Sequence, residues 1–229
     1  ARKGFDFNAN GPKAAHDPTR MQNTQAVALL VDAGSDRAVF RDMKLDGYHD
    51  TLYANAGHAY FHRCLVLGHV DFIFGAGRAV FEDCDIVSRD LGDPADNGWI
   101  AAPSTPIAQP YGFLFLRSRL KKENPAMAAN SVALGRPWHP GGDPLAVGSA
   151  VYVECWMDDH LGARGWDGMG STDRETGAPV WFEPMNARFF EFGGTGPGAA
   201  RSPTRRVLTA AEARAYTAAR LLDGWEPPR

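Results

Sequence analysis

Three things are missing from this 229-residue chain, and each absence narrows its function. No apolar run approaches the roughly 20 residues that a membrane-spanning helix requires, so a membrane partner is not expected. Opposite charges nearly cancel, 24 Lys and Arg against 27 Asp and Glu, leaving a formal net charge of −3 and no basic stripe. Without such a stripe to neutralise phosphates, nucleic acid is not an expected partner either. Helical patterning is also scarce. Its one clear instance is a capping box, Thr209 with Glu212, ahead of an alanine-rich stretch over 210–222 that stops at Gly224. What is abundant is punctuation and rings: 25 Gly, 16 Pro, 13 Phe, 6 Trp and 6 Tyr. That balance fits a turn-rich β protein with one core and a surface able to hold sugar rings.

The chain repeats itself. Ala38-Val39-Phe40-Arg41-Asp42-Met43, Ala59-Tyr60-Phe61-His62-Arg63-Cys64 and Ala79-Val80-Phe81-Glu82-Asp83-Cys84 are versions of one segment, spaced 21 and then 20 residues apart. Phe113-Leu114-Phe115-Leu116-Arg117-Ser118 and Ala150-Val151-Tyr152-Val153-Glu154-Cys155 continue the series at wider spacing, so the later repeats carry loop insertions. A period near 20 with short apolar strands and no internal helix predicts an all-β parallel β-helix; a run of β-meander hairpins is the alternative.

Coil register then sets neighbours. Adjacent coils lie ~4.8 Å apart, which puts Cys64 and Cys84 within the ~4.4–6.8 Å Cα window of a disulfide. A Cys64–Cys84 bridge is expected, with Cys155 a free buried thiol; three reduced core cysteines are the alternative. Asp50 and Asp71 each follow the first alanine of their repeats, Ala38 and Ala59, by twelve residues, so their carboxylates should project side by side. Two close carboxylates cannot both ionise cheaply, which makes one an acid and the other a base or nucleophile. The competing reading is a pair of turn-capping aspartates.

Five segments resemble one family. They are Gln25-Ala26-Val27-Ala28-Leu29, Gly47-Tyr48-His49-Asp50-Thr51-Leu52-Tyr53, Val70-Asp71-Phe72-Ile73-Phe74-Gly75, Leu134-Gly135-Arg136-Pro137-Trp138, and Met157-Asp158-Asp159-His160 running on to Gly165-Trp166. In this order they are similar to the pectinesterases, especially the bacterial secreted branch, over about Phe5 to Pro227. The resemblance implies a right-handed parallel β-helix with a short C-terminal helix, residues 1–229 forming a single domain. Family members start several coils earlier, so the domain is expected to lack N-terminal coils and to begin near a strand around Phe5-Asp6-Phe7. It further implies demethylation of methylated polygalacturonate by Asp71 as nucleophile and Asp50 as general acid and then base. Arg136 would orient Asp71 and keep it ionised, while Gln25 and His49 would donate to the oxyanion. Trp138, Tyr53, Phe74, Trp166 and Met169 match substrate-groove positions. No metal or other cofactor is implied, and the enzyme is expected to be a monomer acting outside the cell.

The departure is His49, which stands where the family carries a glutamine. An imidazole N–H can donate like an amide, but its charge changes near pH 6.5. His69, often threonine in the family, reads as a surface substitution. His16, His58, His62, His139 and His160 read as surface or hydrogen-bonded residues. Two alternatives stand beside the esterase: another pectin-active β-helix enzyme, a lyase or glycosidase, and a carbohydrate-binding β-helix that has lost activity.

Overall fold

Short runs of apolar and β-branched residues separated by tight turns wind into coils of three strands. A computed structural model describes residues 25–228; His16 and the strand expected around Phe5-Asp6-Phe7 lie outside them. The first coil comprises β1 (Leu29–Val31), β2 (Ala38–Arg41) and β3 (Lys44–Asp46), the second β4 (Leu52–Ala54), β5 (His58–His62) and β6 (Leu65–Gly68). The third holds β7 (Ile73–Gly75), β8 (Arg78–Glu82) and β9 (Asp85–Ser88), the fourth β10 (Trp99–Pro103), β11 (Phe113–Leu116) and β12 (Arg119–Lys122). A fifth has β13 (Ala133–Gly135), β14 (Ser149–Val153) and β15 (Trp156–Met157). Equivalent strands of successive coils pair in parallel, giving three sheets in the orders β1-β4-β7-β10-β13, β2-β5-β8-β11-β14-β18 and β3-β6-β9-β12-β15, where β18 spans Arg188–Phe192. This is the parallel β-helix that the period predicts. Its register is that of the repeats: Ala38 pairs with Ala59, Ala59 with Ala79, Ala79 with Phe113, and Phe113 with Ala150.

Identical register stacks identical side chains. Phe40, Phe61, Phe81, Phe115 and Tyr152 form a column of near-parallel rings with successive centroids 4.7, 4.8, 4.8 and 4.3 Å apart. Each such pair contributes about 0.5–1.5 kcal/mol beyond the burial of its area. The turn after the second strand is also repeated. Asp42, Arg63, Asp83, Arg117 and Glu154 all take positive φ, between 45° and 55°, a conformation that costs a side-chain-bearing residue about 1 kcal/mol or more. Arg63 forks onto Asp42 of the previous coil at 2.8 and 2.7 Å, tying two of these strained corners together.

The residue after each of the last four corners is buried, and here one expectation is corrected. Cys64, Cys84 and Cys155 are all buried free thiols, so the expected Cys64–Cys84 disulfide is not formed. Each thiol is taken up by hydrogen bonds instead: Cys64 Sγ donates to the Phe40 carbonyl (3.5 Å), Cys84 Sγ to Phe61 (3.4 Å) and Cys155 Sγ to Phe115 (3.4 Å), and Cys84 Sγ also accepts from Cys64 N–H at 3.4 Å. Ser118 occupies the same rung with its hydroxyl donating to Phe81 at 3.0 Å. Register brings the two cysteines to adjacent rungs, where they pack as hydrogen-bonded thiols.

The C-terminal helix is likewise two helices, α1 (Ala210–Ala213) and α2 (Ala218–Leu221). The capping box is present, with Thr209 N–H donating to Glu212 Oε2 at 2.7 Å and Glu212 N–H donating to Thr209 Oγ1 at 3.3 Å. Thr217 breaks the alanine-rich stretch by acting as a second N-cap, accepting from Arg220 N–H at 3.3 Å. Leu208, Ala213, Leu221 and Leu222 then cover the outer face of the second sheet at Tyr60, Val80, Leu114 and Val151.

Phe81 sits at the centre of the ring column with no exposed surface. Phe81→Ala is expected to cost about 3–5 kcal/mol and Phe81→Leu clearly less, read from urea unfolding midpoints. A loss below about 1 kcal/mol for the alanine variant would contradict the column's structural role.

Candidate active site

Two successive coils enter the first sheet through the same turn. Gly47 and Gly68 open it because the residue four places on folds back over them: a Cβ on Gly47 would lie 2.4 Å from Thr51 Oγ1, and one on Gly68 would lie 2.2 Å from Phe72 Cβ. Asp50 N–H donates to the Val70 carbonyl at 3.1 Å, which stacks the turns. Asp50 and Asp71 both adopt positive φ, 63° and 50°. Aspartate tolerates that region better than most residues, and it presents both carboxylates on one face, as the register predicts.

The third coil-borne group is Arg136, which follows β13 and is anchored by its N–H donating to the Ala101 carbonyl at 2.9 Å. Its guanidinium forks onto the nearly buried Asp71, Nε donating to Oδ1 at 2.9 Å and Nη2 to Oδ2 at 2.6 Å. Such a bidentate pair is a strong, charge-assisted contact that fixes the plane of the carboxyl group. Among the described residues no guanidinium forks onto Asp50 in this way. Burial, reinforced by the Asp71 charge beside it, pushes its carboxyl up to about 7, against a weaker opposing pull from Arg136. The two aspartates are alike in backbone and register and opposite in environment.

His49 completes the constellation, with Nε2 3.4 Å from Asp50 Oδ1. Burial holds its pKa below the ordinary imidazole value, with Asp71 acting in the opposite direction, so the ring is neutral near pH 7. His49, Asp50 and Asp71 are also the one set among the described residues whose metal-type donor atoms all lie within 4.8 Å of one another. Arg136 already engages both Asp71 oxygens, so the set suits acid–base chemistry better than cation binding.

These groups line a cleft of about 350 Å³ together with Gln25, Phe74, Ala102, Trp138 and Met169. Tyr53 stacks on Phe74 at 4.3 Å, and Trp138 meets Phe74 edge-on at 5.6 Å, making one wall aromatic. Met169 comes from the antiparallel hairpin β16 (Met169–Thr172) and β17 (Pro179–Phe182). Past Trp138 the cleft adjoins a recess of about 500 Å³ lined by Tyr53, Ser104, Ile107 and Leu145 among others.

Of the residues expected at the site, the structure brings Asp71, Asp50, Arg136, Gln25, His49, Trp138, Phe74 and Met169 to the cleft, with Tyr53 at its edge. Trp166 is a correction. It stacks on Phe189 at 4.3 Å inside the core and is only 4% exposed, because its coil turns the ring inward to continue the packing of Tyr152. His69 is a second correction. It has no exposed surface, its Nδ1 accepts from Val70 N–H at 2.8 Å, and burial holds its pKa down at about 3. His139 and His160 are buried and hydrogen-bonded, while His58 contacts Asp36 at 2.6 Å. Sequence reasoning missed Trp99, whose ring lies 3.7 Å below the Arg136 guanidinium.

Known proteins share this architecture. A family model described as pectinesterase matches residues 15–225. Pectinesterase A of Dickeya chrysanthemi is 44% identical over 99% of this chain, which spans 64% of that protein's length. Among solved structures, the pectin methylesterase PemA from Erwinia chrysanthemi superposes with a TM-score of 0.92 at 44% identity, covering 98% of this chain and 68% of that one. The pectin methylesterase from Yersinia enterocolitica gives 0.89 at 48% identity, covering 96% and 71%.

The raised Asp50 pKa has a consequence for stability. In the unfolded chain Asp50 ionises near pH 4, whereas in the fold it does so only near 7. Stability is therefore lost as the pH rises between those values and stays lost above them. Asp50→Asn is expected to exceed the native protein by about 1–3 kcal/mol at about pH 8, a figure discounted for the solvent that still reaches the group, and to match it at about pH 3.5. Urea unfolding at both values checks this; a difference that does not vary with pH would contradict the assignment.

Proposed function

The chain belongs to the pectinesterase family, and from that premise we propose that it removes methyl groups from methylated polygalacturonate through an acyl-enzyme on Asp71. The observation that carries the reading is the division of the aspartate pair: Asp71 forked by Arg136, Asp50 desolvated and protonated up to about pH 7. An ionised Asp71 oxygen attacks the ester carbonyl carbon. The proton on Asp50 passes to the methoxy oxygen as the C–OCH3 bond breaks, and methanol leaves. Asp50, now a carboxylate, takes a proton from water, whose oxygen attacks the resulting anhydride. The Asp71 carboxylate is released, the galacturonic acid carboxyl leaves and gives the second proton of the water to solvent, and Asp50 is protonated again.

The negative charge on the tetrahedral intermediate calls for donors at the cleft wall. The Gln25 amide and an N–H of His49 are the groups suited to this, each contributing about 3 kcal/mol when well aimed. Trp138, Phe74 and Tyr53 offer flat apolar faces to sugar rings. The recess beyond Trp138 gives neighbouring residues of a polymer somewhere to lie. A polymer does not enter a cell, so the same reading has the protein act outside the cytoplasm. No helix among the described residues is long and apolar enough to cross a membrane.

Methanol release from methylated pectin should be robust for the native protein and fall by at least about 10³-fold for Asp71→Ala; equal release from both would overturn the mechanism. His49 generates a pH effect. On acidification it gains a positive charge beside Asp71, which stabilises the carboxylate and blunts its attack. The native rate should therefore fall more steeply than that of His49→Gln on the acid side of the ordinary imidazole range, since burial sets the titration below the usual value. Superimposable acid limbs would remove His49 from the mechanism.

A further inference from the structure

Arg136 is held from two directions, and only one of them is the nucleophile. In its own plane the guanidinium forks onto Asp71. Its Cζ also lies over the face of the Trp99 ring, 3.7 Å from the centroid, close enough for a strong cation–π contact. The indole is itself fixed. Its Nε1–H donates to Asp167 Oδ2 at 2.7 Å, and its backbone N–H donates to the His69 carbonyl at 2.8 Å. Asp167 is anchored in turn by its N–H donating to Gly135, the residue before Arg136, at 3.0 Å. Its carboxylate faces Arg164 at 3.3 Å, and Arg164 reaches Asp96 at 3.1 Å.

We propose that Trp99, locked by Asp167, is a positioning residue that sets the plane of the Arg136 guanidinium and through it the aim of Asp71. A guanidinium forked on one carboxylate can still hinge about the line joining the two groups. A flat ring beneath it removes that freedom while leaving its in-plane N–H groups to Asp71. Asp167 adds an electrostatic component: a carboxylate on the indole N–H enriches the ring's π face and strengthens its hold on a cation. The catalytic consequence rests on the esterase reading above; the hold on Arg136 does not.

The test compares Trp99→Phe, Trp99→Leu and Asp167→Asn with the native protein by methanol release and by the ¹⁵N–¹H NMR signal of the Arg136 Nε–H. Trp99→Leu is expected to lower kcat about tenfold with KM changed less than about twofold, because a small loss of aim costs rate more than binding. Trp99→Phe keeps a ring face and should retain kcat within about threefold of native, while Asp167→Asn, with a neutral acceptor, should fall between the two. The Arg136 Nε–H signal should be sharp in the native protein and broadened or exchange-weakened in Trp99→Leu and, to a lesser degree, in Asp167→Asn. Native kcat together with a native Arg136 signal in the leucine variant would overturn the proposal. If that variant does not fold, the same pair of results in Asp167→Asn would do so. A native protein that releases no methanol would defeat the esterase reading instead, and the Arg136 signal would still decide the role of Trp99.

Discussion

Parallel hydrogen bonding between successive coils is the constraint on which everything else depends. It fixes equivalent residues one strand spacing apart, ~4.8 Å, and does so independently of what those residues are. The same rule yields a column of rings from Phe40 to Tyr152, a ladder of inward thiols and a hydroxyl, and two carboxylates on one face. In the first case the forced neighbours attract, and in the second they are indifferent. In the third they would repel, and that conflict is where chemistry becomes possible.

The fold resolves the conflict by giving the two aspartates different surroundings. Arg136 reaches across from the fifth coil to neutralise Asp71, while Asp50 is left desolvated and keeps its proton up to about pH 7. The Asp50 arrangement does not favour stability at neutral pH: a raised carboxyl pKa costs folding free energy once the unfolded chain would ionise, and both aspartates also sit at positive φ. Sites that retain such costs are commonly functional. The stable ring column beneath the first sheet supplies the rigidity against which this strain can persist.

The parts of this architecture legible in the sequence are those that repeat. The repeated segments that begin at Ala38, Ala59, Ala79, Phe113 and Ala150 are the observed partners residue for residue, and the Asp50/Asp71 adjacency comes from them. Legibility ends where a side chain's direction, rather than its position, decides the outcome. Cys64 and Cys84 hold the expected rungs but stay free, hydrogen-bonded thiols. Trp166 holds the expected coil but turns towards Phe189 in the core. His69 lies in the turn that carries Asp71, which suggests exposure, yet Val70 and Trp99 close over it. Trp99 was hidden for another reason. The insertion over 89–98 breaks the period just before β10, so its register with the Arg136 coil, Trp99 pairing with Ala133, cannot be counted from earlier repeats.

Identical backbone positions hold two carboxyl groups in opposite surroundings, and the one without the arginine keeps its proton up to about pH 7. The most direct measurement is a ¹³C NMR titration of the Asp50 side-chain carboxyl in the folded protein, with Asp50→Asn identifying the resonance. The account predicts a midpoint near pH 7. A midpoint near pH 4, the ordinary value for an aspartate, would leave no proton on Asp50 to give to methanol and would contradict it.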